Sequence, residues 1–321
     1  MAHEFWTQHS PVTTPGAAAA VHIDALPSDL ASLRHASSQF VFHFRGDFAK
    51  HGVPEERRAE ISLRYADAMF SALLSRSSGH YSTTAAAAAT TTEELENPLS
   101  YSRDNRTDRV VGCARDAVVL FVAMARQKGI PARGRVGFAS YFEPGWFMDH
   151  VVAEVWDASQ NRWRLVETMP VTDDEGQEVD YLDLKEDEFV TAPRAWQAAR
   201  QGKTDPGRYV VDPSLLEVPI LRGWPYLAHN LIHDLAWMNK NEMLLWDHWG
   251  VQDELRKLEI GDELGKLLDE VGEVMVDVDV EPAVLVEMFS RDGLHVPKVV
   301  GTVNPSNGAM EEVDIGRAIG E

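Results

Sequence analysis

The sequence predicts an α+β domain in which one wholly buried helix packs on an antiparallel sheet, with further helices added before and after. Three observations carry this. Residues Val118 to Ala125 are apolar all round, and a helix without a polar face must be covered on every side. Directly after it come three short runs rich in β-branched and aromatic residues, Arg135–Tyr141, Asp149–Trp156 and Arg162–Thr168, with turn residues between them. Outside this block the apolar residues recur at helical spacing, so strands and helices are segregated rather than alternating.

Taken in order, residues 1–25 are rich in Ala, Thr and Pro and are expected to be a poorly ordered tail. Ser28 or Asp29 caps a helix running through Leu30, Leu33 and Phe40. A second helix follows Pro54, with Ile61, Tyr65, Met69 and Leu73 on one stripe. The Ala/Thr stretch 82–92 reads as a low-complexity surface insertion. Gly129 stops the buried helix and Pro131 bars its continuation. Beyond an acidic run, Asp173, Asp174 and Glu175, the pattern predicts helices over Val190–Gln201, Leu227–Trp249 and Asp253–Val274, then a late strand, Leu294–Val303. The core thus spans about 100–170, and about 185–321 reads as a helical C-terminal extension of one domain covering 26–321.

At 321 residues the chain is long enough for a substantial apolar core. It carries 51 acidic against 30 basic residues, a formal net charge of -21. That balance opposes nonspecific attraction to nucleic acid or to anionic membrane, and no basic run with interleaved aromatics offsets it. No apolar run reaches the roughly 18 residues of a membrane span, and the first fifteen residues lack a secretory pattern. One cysteine excludes an intrachain disulfide framework, and a cytoplasmic protein is expected.

The chemistry-bearing residues cluster in the core. With a two-residue turn at Ala158-Ser159, the second and third strands place His150 directly opposite Glu167, β-carbons about 4.5–5.5 Å apart. A carboxylate there fixes the imidazole tautomer and raises its basicity. A thiol at the start of the buried helix would feel unsatisfied amides and the positive helix end, which lower its pKa and supply an oxyanion site. Trp146, just before the second strand, and Asp149, beside His150, are the candidates for a substrate wall. His229 and His233 stand at i,i+4 spacing, but no glutamate follows His229 and no third ligand is apparent, so neither metal nor cofactor is expected.

Gly112, Arg115-Asp116, the apolar run, Gly129-Ile130-Pro131-Ala132-Arg133, Asp149-His150-Val151 and Arg162-Trp163-Arg164-Leu165-Val166-Glu167 together resemble the core motif of the transglutaminase-like superfamily. Fainter similarity extends over roughly 26–315, through Val136-Gly137-Phe138, Tyr141-Phe142, Ala195-Trp196, Asp205-Pro206 and Trp246-Asp247-His248-Trp249-Gly250. The resemblance implies a papain-like fold and cysteine-dependent acyl transfer or amide hydrolysis or formation, with His150 as base and Glu167 orienting it; the alternatives are a catalytically inactive binding protein using the same cleft and an amide-forming or cyclising enzyme of specialised peptide metabolism. It also places the nucleophile immediately before Arg-Asp. That position is Ala114; Cys113 stands one residue early, about 100° away around a helix. The orienting acid, usually aspartate in the family, is here a glutamate. Three accounts of Ala114 stay open: an engineered change from Cys-Cys-Arg-Asp, a natural loss of the nucleophile, or a reset helix start that makes Cys113 the nucleophile. The implied partner is a small-molecule or peptide acyl substrate. An aminoacyl-tRNA donor stays open, and the oligomeric state is not set by the sequence.

Overall fold

The computed structural model describes residues 2–77, 97–100, 102–169 and 179–316. The 82–92 insertion and the acidic run at 173–175 lie outside the described residues. The elements are mixed helix and sheet, as an α+β chain requires, and they are arranged around one helix. In α5, Ala114–Gln127, every residue from Ala114 to Arg126 is buried. It ends where Gly129 takes φ 71°, a left-handed conformation that glycine adopts without strain.

Against α5 lie β3 (Ala132–Ala139) and β4 (Phe147–Asp157), antiparallel, with Gly137 opposite His150. Strand β5 (Arg162–Val166) extends the sheet beyond β4, and β6 (Phe189–Thr191) lies beyond β3. The short β7, Tyr209–Val210, runs parallel to the start of β4. A separate parallel pair, β1 (Val41–His43) and β2 (Val110–Gly112), leads straight into α5 and sets His43 beside Gly112.

The hairpin between β4 and β5 departs from the expected register. Its loop has four residues, closing at Asp157 and Arg162 and using Asn161 at φ 51°. Asp157 caps this loop by accepting from the Ser159 and Gln160 amides, which stabilises it over a two-residue turn. The pairing is therefore shifted by two, Ala153 facing Val166. A shift of two keeps every side chain on its own face, whereas a shift of one would reverse them.

The N-terminal segment corrects the expectation of a disordered tail. Helices α1 (Ala2–Phe5) and α2 (Ala17–Asp24) enclose a turn in which Trp6, Val12, Thr13 and Ile23 are all at most 2% exposed. Ser10 donates to Glu242 at 2.7 Å, and Arg126 of α5 reaches both Thr13 and Glu242. Composition gave the wrong answer because these few apolar residues pack against α5 and the sheet, and a buried charge network holds the segment in place.

Helix α3 (Leu30–Ser38) forms as expected, capped by the Asp29 carboxylate on the Ser32 amide. The helix expected after Pro54 is split into a 3-10 segment, Glu55–Ser62, and α4, Ala66–Ser77. Between them Arg64 takes φ 56° and forms a two-bond ion pair with the buried Asp247. Farther on, α6 is Ala192–Arg200 and α7 is Gly223–Met238. The long helix expected to Trp249 stops at Met238; the chain turns at Lys240, φ 61°, and continues as β8, Asp247–His248. The next helix is likewise broken, a 3-10 turn over Gly250–Lys257 being separated from α8, Asp262–Met275, by Leu258 at φ 63°. After α9 (Pro282–Phe289), β9 (Val299–Val303) pairs with both β8 and β10 (Met310–Asp314). The C-terminal region is thus not purely helical but carries its own three-stranded sheet.

Buried charges tie the central sheet to α7. Glu154 accepts from Arg133 and Arg135, and Asp234 of α7 accepts from Arg135 at 2.8 Å and from the Val136 amide at 2.7 Å. All four side chains are almost wholly buried, a setting in which loss of one partner is far costlier than loss of the whole set.

Candidate active site

The start of α5 is built by its own sequence. The Asp116 side chain folds back to accept the Cys113 amide at 2.8 Å, and Arg115 holds Asp116 at 3.0 Å while donating to the Glu242 carbonyl. Gly112 makes room for this: a β-carbon there would lie 2.5 Å from the Asp116 carboxylate. Arg115 and Asp116 therefore shape the helix start rather than meet a substrate. Ala114 is the first helical residue, and its amide makes no hydrogen bond among the described residues.

Cys113 caps the helix instead of facing outward from it. Its sulfur lies against the Arg115 and Asp116 amides, it is 5% exposed, and its neighbours are Phe42, Phe44, Phe48 and Val111. Burial pushes the thiol well above its ordinary pKa, and the Asp116 charge adds to this. A sulfur held this way has little thiolate to offer.

His150 and Glu167 meet. Nε2 of His150 lies 2.7 Å from a Glu167 oxygen. They do so diagonally: the register puts Val152 across from Glu167 and His150 two residues farther along the same face, and the length of the glutamate spans the difference. The same oxygen of Glu167 accepts from the Tyr141 hydroxyl, and the other accepts the Met169 amide at 2.8 Å. Burial alone would push this carboxyl up, yet the His150 charge and the hydrogen bonds from His150, Tyr141 and Met169 hold it below its ordinary value. Burial and the Glu167 charge push the Tyr141 phenol well up, so it stays a donor. With Nε2 committed to Glu167, Nδ1 of His150 is the nitrogen left for chemistry. Phe142 stands edge-on to the ring, centroids 4.9 Å apart.

Cys113, Ala114, Asp149 and His150 all line one cavity of about 550 Å³. Its walls also take in the 211–221 segment and the C-terminal elements around Trp246, Arg256 and Val303. Asp149 is in this wall, its carboxylate accepting from Asn230 at 2.9 Å and from Tyr226. Burial pushes the Asp149 carboxyl up against those two hydrogen bonds. Trp146 is half-buried and is not among the lining residues; Phe44 and Trp246 supply aromatic surface instead.

His43 was not found from sequence. It lines the cavity with Ala114 and His150, and its Nδ1 accepts the Arg45 amide at 3.2 Å, which leaves the proton on Nε2. Burial, then the charges of Arg45 and His150, lower its pKa to about 4, so it is a neutral donor at physiological pH. No spacing rule marks it, because its place comes from the parallel β1–β2 pairing. Tyr141 was noted only as part of a pattern; its hydrogen bond to Glu167 depends on how the β3 end folds over the sheet. The His229 and His233 rings do lie together, centroids 4.3 Å apart and tilted by 38°, but each Nε2 donates to a backbone carbonyl, of Leu245 and Asp247 respectively. They anchor α7 to the segment leading into β8.

Residues 66–168 match the family model of the transglutaminase-like superfamily. This segment is transglutaminase-like. It contains α4, α5, β3, β4 and β5, and with them Ala114, His150 and Glu167; the 211–221 wall and the C-terminal sheet lie outside it. No curated protein and no solved structure matches the chain. Members of the transglutaminase-like superfamily generally use a cysteine for acyl transfer.

Proposed function

We propose that the cavity is an acyl-transfer site of the transglutaminase-like kind, complete in this chain except for its nucleophile. The observation that carries this is the His150–Glu167 pair, 2.7 Å apart and buried, whose His150 lines one cavity with Ala114. A thiol at 114 would give its proton to Nδ1 of His150, and the thiolate would attack the carbonyl of an amide, ester or thioester. The Ala114 amide, and His43 through Nε2–H, would receive the developing oxyanion. His150 would return the proton to the leaving group, and water or an amine would then release the acyl group from sulfur. The methyl of Ala114 offers no nucleophile, so the chain as it stands holds an acyl compound without turning it over. A small molecule or a peptide side chain fits the cavity size; the protein would act in a reducing compartment such as the cytoplasm.

The test is Ala114→Cys, treated with iodoacetamide near neutral pH and mapped by peptide mass. The expected result is alkylation at position 114 faster than that of a free cysteine, with Cys113 left unmodified and the gain lost on His150→Gln. Reaction at 114 no faster than the free thiol would overturn the proposal. Modification centred on Cys113 would favour a second reading in which the neighbouring sulfur is the nucleophile, against its burial and raised pKa.

A further inference from the structure

The cavity has a composition that contradicts the chain around it. The protein carries 21 more acidic than basic residues, yet the described residues lining the cavity include two arginines and four histidines against a single acid, Asp149. That acid is already engaged by Asn230 and Tyr226. Of the two arginines, Arg45 is paired with Asp212 at 3.0 Å. Arg256 forms no ion pair with a carboxylate among the described residues; its guanidinium donates to Nε2 of His248 at 3.1 Å. Asp253 accepts from Nδ1 of that ring at 3.0 Å, which puts the proton on Nδ1 and leaves Nε2 a neutral acceptor. The His248 ring is itself fixed, packed so closely on Gly301 that a side chain at 301 would overlap it. Arg256 is thus oriented by a neutral ring and by the Met310 sulfur at 3.8 Å, with no carboxylate in direct contact among the described residues. The 211–221 segment lines the same cavity with Val211, Leu215, Val218, Ile220 and Leu221, an aliphatic wall.

We infer that the cavity takes an amphipathic carboxylate of metabolite size: an aliphatic body against the 211–221 wall, with its anionic group on Arg256. Neither wall belongs to the segment that matches the family model, so this specificity is a property of the C-terminal half. The inference deepens the acyl-transfer reading and rests on it only in taking the cavity as the substrate site. Its energetics are additive and readable. Each buried methylene contributes about 0.8 kcal/mol, close to a fourfold gain in affinity. An ion pair to a guanidinium as exposed as that of Arg256 contributes about 0.2–1 kcal/mol, up to about a fivefold gain.

The test is calorimetric titration of the intact chain with hexanoate, octanoate, octanol and octylamine. Octanoate should bind about fifteenfold tighter than hexanoate and about twofold to fivefold tighter than octanol, with octylamine weakest. Arg256→Met keeps the stem and removes the charge; because Arg256 is exposed on a 3-10 turn, the variant should melt where the parent does. It should bring octanoate down to the level of octanol and leave octanol unchanged. Equal binding of acid and alcohol, preference for the amine, no gain with chain length, or indifference to Arg256→Met would each overturn the inference. The titrations need no nucleophile. An inert Ala114→Cys with octanoate bound as described would sink the acyl-transfer reading alone, while a reactive Ala114→Cys with indifferent titrations would sink this one alone.

Discussion

Replacing Glu167 by glutamine keeps the shape of the side chain and removes its charge, which makes it a direct probe of the buried pair. Three groups point at this carboxylate: Tyr141 and His150 at one oxygen and the Met169 amide at the other. Glutamine can still accept from Met169 with its carbonyl. The amide nitrogen then faces two donors, so the His150 ring must move its proton to Nδ1 and the Tyr141 hydroxyl loses its acceptor. Hydrogen bonds to a charged group contribute about 1.5–3 kcal/mol each; with partial re-pairing the net loss is about 2–4 kcal/mol. At about 2–3 °C per kcal/mol for a chain of this size, the melting temperature should fall by roughly 5–10 °C. The pH dependence has a fixed sign. Glu167 is held below its ordinary value of 4.5 when folded, so its contribution is complete above that pH and fades as pH falls through the lower folded value. Thermal melts of parent and variant followed by circular dichroism should therefore differ fully at pH 7 and converge in acid. A shift under about 2 °C at pH 7, or a gap that does not narrow as pH falls below 4.5, would show that the pair is not the buried charged contact described. In the Ala114→Cys background the same change should abolish the rate gain, since Nδ1 would then carry a proton and accept none.

Two further expectations concern the frame of the site. Cys113 in the folded parent chain should react with iodoacetamide at least about tenfold more slowly than free cysteine, since each unit rise in pKa cuts the thiolate tenfold; the rate should recover in guanidinium. Equal rates folded and unfolded would contradict its burial. Asp234→Ala should destabilise the chain by about 3–5 kcal/mol in urea melts, because it leaves the Val136 amide and the Nε and Nη2 donors of the buried Arg135 without an acceptor, with only Nη1 still held by Glu154; a loss below about 1 kcal/mol would show that the buried network is dispensable.

The centre of the fold was legible in the sequence because local pattern and burial agree there. The apolar run of α5, its glycine stop and the three strand runs each allow one reading. The His150–Glu167 contact was foreseen with the wrong turn, and survived because an error of two residues preserves the face. Expectations failed where a single long-range contact overrides local preference. Arg64 breaks a helix to reach Asp247, 183 residues away, and Trp6 and Ser10 draw a low-complexity segment into the core. Trp146 was chosen for its nearness in sequence to His150, and the cavity opens on the other side, toward residues after 200. His43 and Arg256 could not have been singled out, since their place depends on pairings of β1 with β2 and of β8 with β9.

The four-residue loop at 158–161 has a consequence for the acid it positions. By sliding one strand past the other it sets the carboxylate farther from the imidazole than a tight turn would, by a distance that one extra carbon makes good. Glu167→Asp would retract the oxygen by about 1.5 Å and open the 2.7 Å contact beyond bonding range. The hairpin therefore works as a gauge: its length and the reach of the residue at 167 have to be changed together.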